Sequence, residues 1–103
     1  MTSSQTMIKI RQPDDWHLHL REGHLMHGVV GSSARVFRRA IVMPNLSPPI
    51  TSIQAAISYR KEIKSAVPNG LSFEPLMTIY LTDKLSSNVL VNGYKEGIIF
   101  AAK

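Results

Sequence analysis

The chain contains no cysteine, so neither a disulfide framework nor a thiolate metal site can be built from it. Its opening residues carry no long apolar run either. Met1-Thr2-Ser3-Ser4-Gln5-Thr6-Met7 is polar, without the hydrophobic stretch that a signal peptide needs. No apolar run approaches the roughly 18 residues of a membrane span, which excludes a spanning helix. Blocks of like charge are missing too. The formal charge is +5 and the pI about 9.9, a balance that could suit nucleic acid. Yet the Lys and Arg residues are scattered from Lys9 to Lys103, and the few aromatics do not alternate with them as stacking platforms would. The expectation is a soluble, cytoplasmic protein with no nucleic-acid or membrane partner.

What is present is the composition of an ordinary globular domain, in a chain long enough for one modest core. Met7 to Arg11 reads as a short edge strand ended by Pro13. Asp15 to Leu20 alternates with strict period two, with Trp16, Leu18 and Leu20 on one face and His17, His19 and Arg21 on the other. The stretch from about His24 to Val36 is weakly helical, interrupted by Gly28 and Gly31. Ala40-Ile41-Val42-Met43, stopped by Pro44, fits a strand buried on both faces.

The clearest helix runs from Ser52 to about Val67. Ile53, Ala56, Ile57, Arg60, Ile63 and Val67 recur at helical spacing, with Arg60 lying along the stripe by its stem. Thr51 followed by Gln54 predicts a capping box, and Pro68-Asn69-Gly70 the stop. Leu76 to Leu81 reads as a strand, Ser87 to Glu96 as a helix ending before Gly97, and Ile98 to Ala102 as a last strand. The order β, βα, βα, βα, β predicts a parallel α/β fold, either an open doubly wound sheet or a (β/α)8 barrel. A closed barrel needs about 200 residues or more. As a barrel, residues 1–103 would be less than half of one domain.

Two histidines at i and i+2 on a strand point to the same side, close enough to hold one metal ion. His17 and His19 therefore read either as metal ligands or as two partly exposed residues of an edge strand. Arg21 extends their row toward the strand's C-terminal end, where parallel α/β folds place their sites. Lys103, directly after the apolar Ile98 to Ala102, is either a snorkelling or terminal lysine or a functional amine. Burial would lower its pKa, and a neutral amine can add carbon dioxide to become a carbamate. Asn45 after Met43-Pro44 is a turn former or a substrate hydrogen-bonding group. His24 and His27 fit a helix surface, and Asp14 and Asp15 a turn or supporting role before the strand.

The run Pro13-Asp14-Asp15-Trp16-His17-Leu18-His19-Leu20-Arg21-Glu22-Gly23 resembles the signature of dihydroorotases. Further segments resemble that family in the same order: Arg39 to Leu46 with Pro48-Pro49, Ala55 to Arg60, Leu76 to Asp83, and Glu96-Gly97 leading into Ala101-Ala102-Lys103. Arg21-Glu22-Gly23 looks like the stand-alone bacterial type, since it lacks the proline that the other major type usually carries after the acidic residue.

The resemblance implies the N-terminal part of a (β/α)8 barrel with two zinc ions at its C-terminal mouth. It implies reversible cyclisation of N-carbamoyl-L-aspartate to L-dihydroorotate in pyrimidine biosynthesis. Carried over by position, His17 and His19 would ligate one zinc, and Lys103, as N6-carboxylysine, would bridge both. Arg21 and Asn45 would bind the substrate carboxylate, with His19 and Leu20 lining the same pocket. Two further histidines and a catalytic aspartate would lie beyond residue 103. A homodimer is allowed by this reading. The competing readings are another cyclic amidohydrolase, of hydantoinase or allantoinase type, and a catalytically silent barrel kept as an assembly module.

Overall fold

The computed structural model describes residues 5–103. Four strands and three helices alternate: β1 (Asp14–Leu18), α1 (Gly23–Val36), β2 (Arg39–Val42), α2 (Ile53–Ala66), β3 (Glu74–Ile79), α3 (Ser87–Lys95) and β4 (Ile99–Ala102). The strands form one sheet in the order β1-β2-β3-β4, with every pair parallel. A parallel pair needs a crossover, and each helix supplies one. Because the spatial order follows the chain order, no reversal of winding occurs within these four strands. Right-handed crossovers then place successive helices on the same side of the sheet.

The core lies between that side and the helices. Met26, Val30 and Ala34 of α1 and Ala56, Tyr59 and Ile63 of α2 are buried, together with Ala40 and Val42 of β2 and Met77 and Ile79 of β3. Among these hydrophobic groups the buried Thr78 is the polar exception. Its hydroxyl donates to the Val42 carbonyl at 2.6 Å, so it ties β3 to the end of β2 with no unpaired polar atom.

Several boundaries differ from the sequence expectations. Residues 7–11 form no strand. Met7, Ile8 and Ile10 are exposed, and the ladder begins only after Pro13, whose carbonyl accepts the Arg38 amide at 2.9 Å. Among the described residues that stretch has no strand to pair with, so the leading β of the expected order is not formed. β1 starts and ends earlier than the period-two reading, leaving His19 and Leu20 beyond its end. α1 passes through Gly28 and Gly31 without interruption, since packing of its buried face outweighs the propensity loss of about 1 kcal/mol per glycine. β3 begins two residues before Leu76, with Pro75 inside it. Pairing of β3 with β4 starts only at Met77, so the missing amide of Pro75 falls where that side has no ladder.

The helix ends follow from local chemistry. The Ser52 side chain accepts the Ala55 amide at 3.1 Å, so Ser52 and not Thr51 caps α2, and the Thr51–Gln54 capping box is not formed. α3 closes as a Schellman motif. The Gly97 amide donates to Tyr94 and the Ile98 amide to Gly93, both at 3.0 Å, with Gly97 at φ 74°.

Gly93 is also the point where α3 meets β4. A Cβ there would fall 2.9 Å from Ile99 Cβ and closer still to Ile99 Cγ1. Gly93→Ala should therefore destabilise the fold. Overpacking costs about 1–3 kcal/mol, and the helix-propensity gain of up to about 1 kcal/mol only partly offsets it. Urea denaturation would show a lower midpoint for the variant, and an unchanged or higher midpoint would contradict the close approach.

Candidate active site at the carboxyl edge of the sheet

Because all four strands run parallel, their C-terminal ends open on one edge. His17 and His19 arrive there from β1, Asn45 from β2 and Lys103 from β4. The β1 backbone is not regular. Asp15 pairs with Ala40 and Leu18 with Val42, so β1 spends three steps where β2 spends two. This bulge leaves the His17 amide outside the ladder, and Asp15 Oδ1 accepts it at 3.0 Å. Asp15 thus holds the backbone of the first histidine.

The two rings converge, with centroids 5.1 Å apart and Nε2 atoms 3.2 Å apart. Two nitrogens at that separation, each about 2.0–2.1 Å from one zinc ion, subtend roughly 100° at the metal, close to tetrahedral. The pair therefore fits a single ion. Among the described residues no set of three or more His, Cys, Asp or Glu converges on such a point. The pKa of His19 is lowered, first by burial and then by the charges of Lys103, Arg21 and His17. A neutral imidazole is the form that binds metal.

Lys103 lies on the same edge. Its backbone is fastened at both ends, its amide donating to Ile79 at 2.9 Å and its carbonyl accepting the Leu81 amide at 2.6 Å. It is not a frayed end. Its side chain is exposed in this chain, and Nζ donates to Asn45 Oδ1 at 2.9 Å. Asn45 is half-buried and therefore bridges toward β4 across the end of β3. The sequence-based premise of a buried Lys103 amine is not met within these residues.

Arg21 departs from the alternating row in a way the sequence concealed. Its backbone is left-handed, at φ 60°, a conformation that costs a non-glycine residue roughly 1–2 kcal/mol. The Arg21 carbonyl accepts the hydroxyl of the buried Tyr59 at 2.5 Å. Arg21 and Asn45 nevertheless share one cavity of about 270 Å³ together with Glu22, Leu25, Leu46 and Ser47. Burial pushes the Tyr59 phenol up, and the Glu22 and Glu62 charges add to this, so it remains a hydrogen-bond donor at all ordinary pH.

Other candidates fall elsewhere. His24 and His27 are exposed on α1, in accord with a surface role. Asp14 is paired with Arg39 at 2.6 Å near the start of β1, and the Arg39 guanidinium also stacks over Trp16. A larger cavity, about 380 Å³, includes Arg38, Lys64 and Glu74 at the opposite edge, where Glu74 is already paired with Arg60 and Lys64. Parallel α/β folds place stability, and not chemistry, at that edge. Tyr59 is the residue that the sequence reading missed. In the stripe it had been displaced by its neighbour Arg60, whose guanidinium in fact reaches Glu74 Oε1 at 2.5 Å. The signal available was Tyr59 itself, three residues after Ala56 and four before Ile63.

The His19 environment has a measurable consequence. In metal-free protein, an NMR titration should place the His19 midpoint below the ordinary 6.5. Lys103→Ala removes one repelling charge and should raise that midpoint, while the contribution of burial remains. A His19 midpoint unaffected by Lys103→Ala would place the lysine outside its electrostatic reach.

No family model matches the chain. Its sequence is 54% identical over all 103 residues to a dihydroorotase of Pectobacterium atrosepticum, and 53% identical to one of Pectobacterium carotovorum. The chain spans about 30% of the length of these curated relatives. In structure it is similar to the dihydroorotase of Campylobacter jejuni, with a TM-score of 0.79 and 33% identity, over 88% of this chain and 26% of that one. The dihydroorotase of Saccharomyces cerevisiae in complex with 5-fluoroorotic acid gives a TM-score of 0.77 and 28% identity, over 87% and 24% of the two chains. In sequence over all of its 103 residues, and in fold over 88% of them, this chain matches the N-terminal portion of the dihydroorotase family.

Proposed function

We propose that these residues are the N-terminal portion of a (β/α)8 barrel whose complete chain is a zinc-dependent dihydroorotase. It would interconvert N-carbamoyl-L-aspartate and L-dihydroorotate in pyrimidine biosynthesis. The observation that carries the reading is the Nε2–Nε2 approach of His17 and His19, 3.2 Å, on the strand edge that also presents Asn45 and Lys103. The unreversed strand order supports the barrel, since it is the order in which successive β/α units close on themselves. The yeast relative's complex with 5-fluoroorotic acid supports an acidic pyrimidine-like ligand.

His17 and His19 would hold one zinc through Nε2. Lys103, as N6-carboxylysine, would present two anionic oxygens in place of an ammonium that repels cations. A bound zinc pair supplies activation of water near neutral pH and polarisation of the ring carbonyl. Arg21 would grip the substrate carboxylate through its planar guanidinium, which can donate two parallel hydrogen bonds. Asn45 would donate its amide to the same carboxylate from across the cavity, with His19 and Leu20 at the pocket wall. An acidic substrate thus accounts for Arg21 and Asn45 sharing a cavity, which a substrate without a carboxylate would not require.

The test is made on the full-length, zinc-loaded protein. Both His17 and His19 should bond zinc through Nε2 at about 2.0–2.1 Å; a zinc-containing crystal structure with neither ring within bonding distance would overturn the reading. Arg21→Ala should weaken substrate binding by at least about 1.5–3 kcal/mol, the range for a hydrogen bond to a charged group. Arg21→Lys should also lose affinity, because a point charge cannot reproduce the fork. Lys103→Ala should lose activity together with the metal pair, and a small added carboxylic acid should restore part of both. An unmodified Lys103 amine beside a fully occupied metal pair would sink its assignment.

A further inference from the structure

We infer that Tyr59 is a positioning residue that sets the substrate-carboxylate contact of Arg21, without touching substrate itself. The inference rests on the reading of Arg21 as the carboxylate-binding residue and adds what makes that residue selective. Arg21 is the only non-glycine residue with positive φ among the described residues. It sits between the end of β1 and the start of α1, at the rim of the cavity it shares with Asn45. A left-handed residue turns its side chain away from where a continued strand would send it. Such a conformation persists only where its surroundings hold it.

The holding contact comes from a different element. Tyr59 belongs to α2, thirty-eight residues further along the chain, and its ring is buried with 3% exposure. Its hydroxyl donates to the Arg21 carbonyl at 2.5 Å, and no other hydrogen bond to that carbonyl is found among the described residues. The ring therefore packs in the core while its polar tip fixes one peptide plane of the β1–α1 turn. Fixing that plane fixes the direction of the Arg21 side chain. A phenylalanine would fill the same volume and leave the carbonyl unpaired, so the turn would be free to relax toward ordinary φ.

Four full-length proteins test this: wild type, Tyr59→Phe, Arg21→Ala and the double variant, each zinc-loaded. Tyr59→Phe should raise KM for dihydroorotate about three- to tenfold, the range expected for loss of one hydrogen bond. Its kcat at saturation and its zinc content should stay near wild type. Arg21→Ala should raise KM further, and adding Tyr59→Phe to it should produce no additional rise, because Tyr59 acts through Arg21 alone. Equal effects of Tyr59→Phe in both backgrounds would overturn the inference, as would a rise in KM for Arg21→Ala with none for Tyr59→Phe. An unchanged KM in Arg21→Ala defeats the carboxylate assignment itself, a different result from either of these. If Tyr59→Phe alone does not fold, Arg21→Gly added to it should restore folding, since glycine adopts positive φ without strain. Failure of that rescue would also overturn the inference.

Discussion

Three parallel ladders, β1–β2, β2–β3 and β3–β4, make the C-terminal ends of four strands leave the sheet on a single edge. Every candidate side chain depends on that constraint. His17, Asn45 and Lys103 are separated by tens of residues in the chain, yet they share one edge because parallel strands run in one direction. The hydrogen bond from Lys103 Nζ to Asn45 Oδ1 spans fifty-eight residues of sequence. Antiparallel pairing of any one strand would have sent its functional residue to the opposite edge, about the length of a strand away.

On top of this scaffold, one register shift lies inside the β3–β4 ladder, between Met77 and Thr78, and two further irregularities lie where the candidate site is. The bulge in β1 falls at Trp16 and His17, and the left-handed residue falls at Arg21. Each of these two has a named partner that holds it: the Asp15 carboxylate for the His17 amide, and the Tyr59 hydroxyl for the Arg21 carbonyl. At the other edge the structure is regular and its charges are neutralised in pairs. Burial of Glu74 would raise its pKa, but the guanidinium of Arg60 and the ammonium of Lys64 outweigh that and hold it below its ordinary value. These partly exposed pairs contribute modestly to stability.

The elements were legible in the sequence to the extent that burial dominates them. β2, α2, α3 and β4 fall close to their expected positions because their apolar spacing matched the face that packing required. Where two local signals competed, contacts elsewhere in the chain decided. Residues 7–11 have the alternation of a strand and pair with none among the described residues. Gly28 and Gly31 weaken a helix in isolation but not one whose Met26, Val30 and Ala34 are buried. In α2 the expected stripe runs through Arg60, but Tyr59 takes the buried position and the Arg60 guanidinium pairs with Glu74.

Sequence by itself determined the chemical inventory: two histidines one residue apart, an arginine two further on, an asparagine after a buried strand and a lysine ending another. It also determined the alternation of strands and helices, because hydrophobic period is a local property of the chain. Tertiary structure alone decided that the histidine nitrogens approach to 3.2 Å, since a bulge alters the strict alternation that a period-two reading assumes. It alone joined Asn45 to Lys103 and Tyr59 to Arg21, because contacts between distant residues arise from strand order and helix packing. Backbone handedness at Arg21 belongs to the same class: arginine has no local preference for positive φ, and only the rest of the fold can impose it.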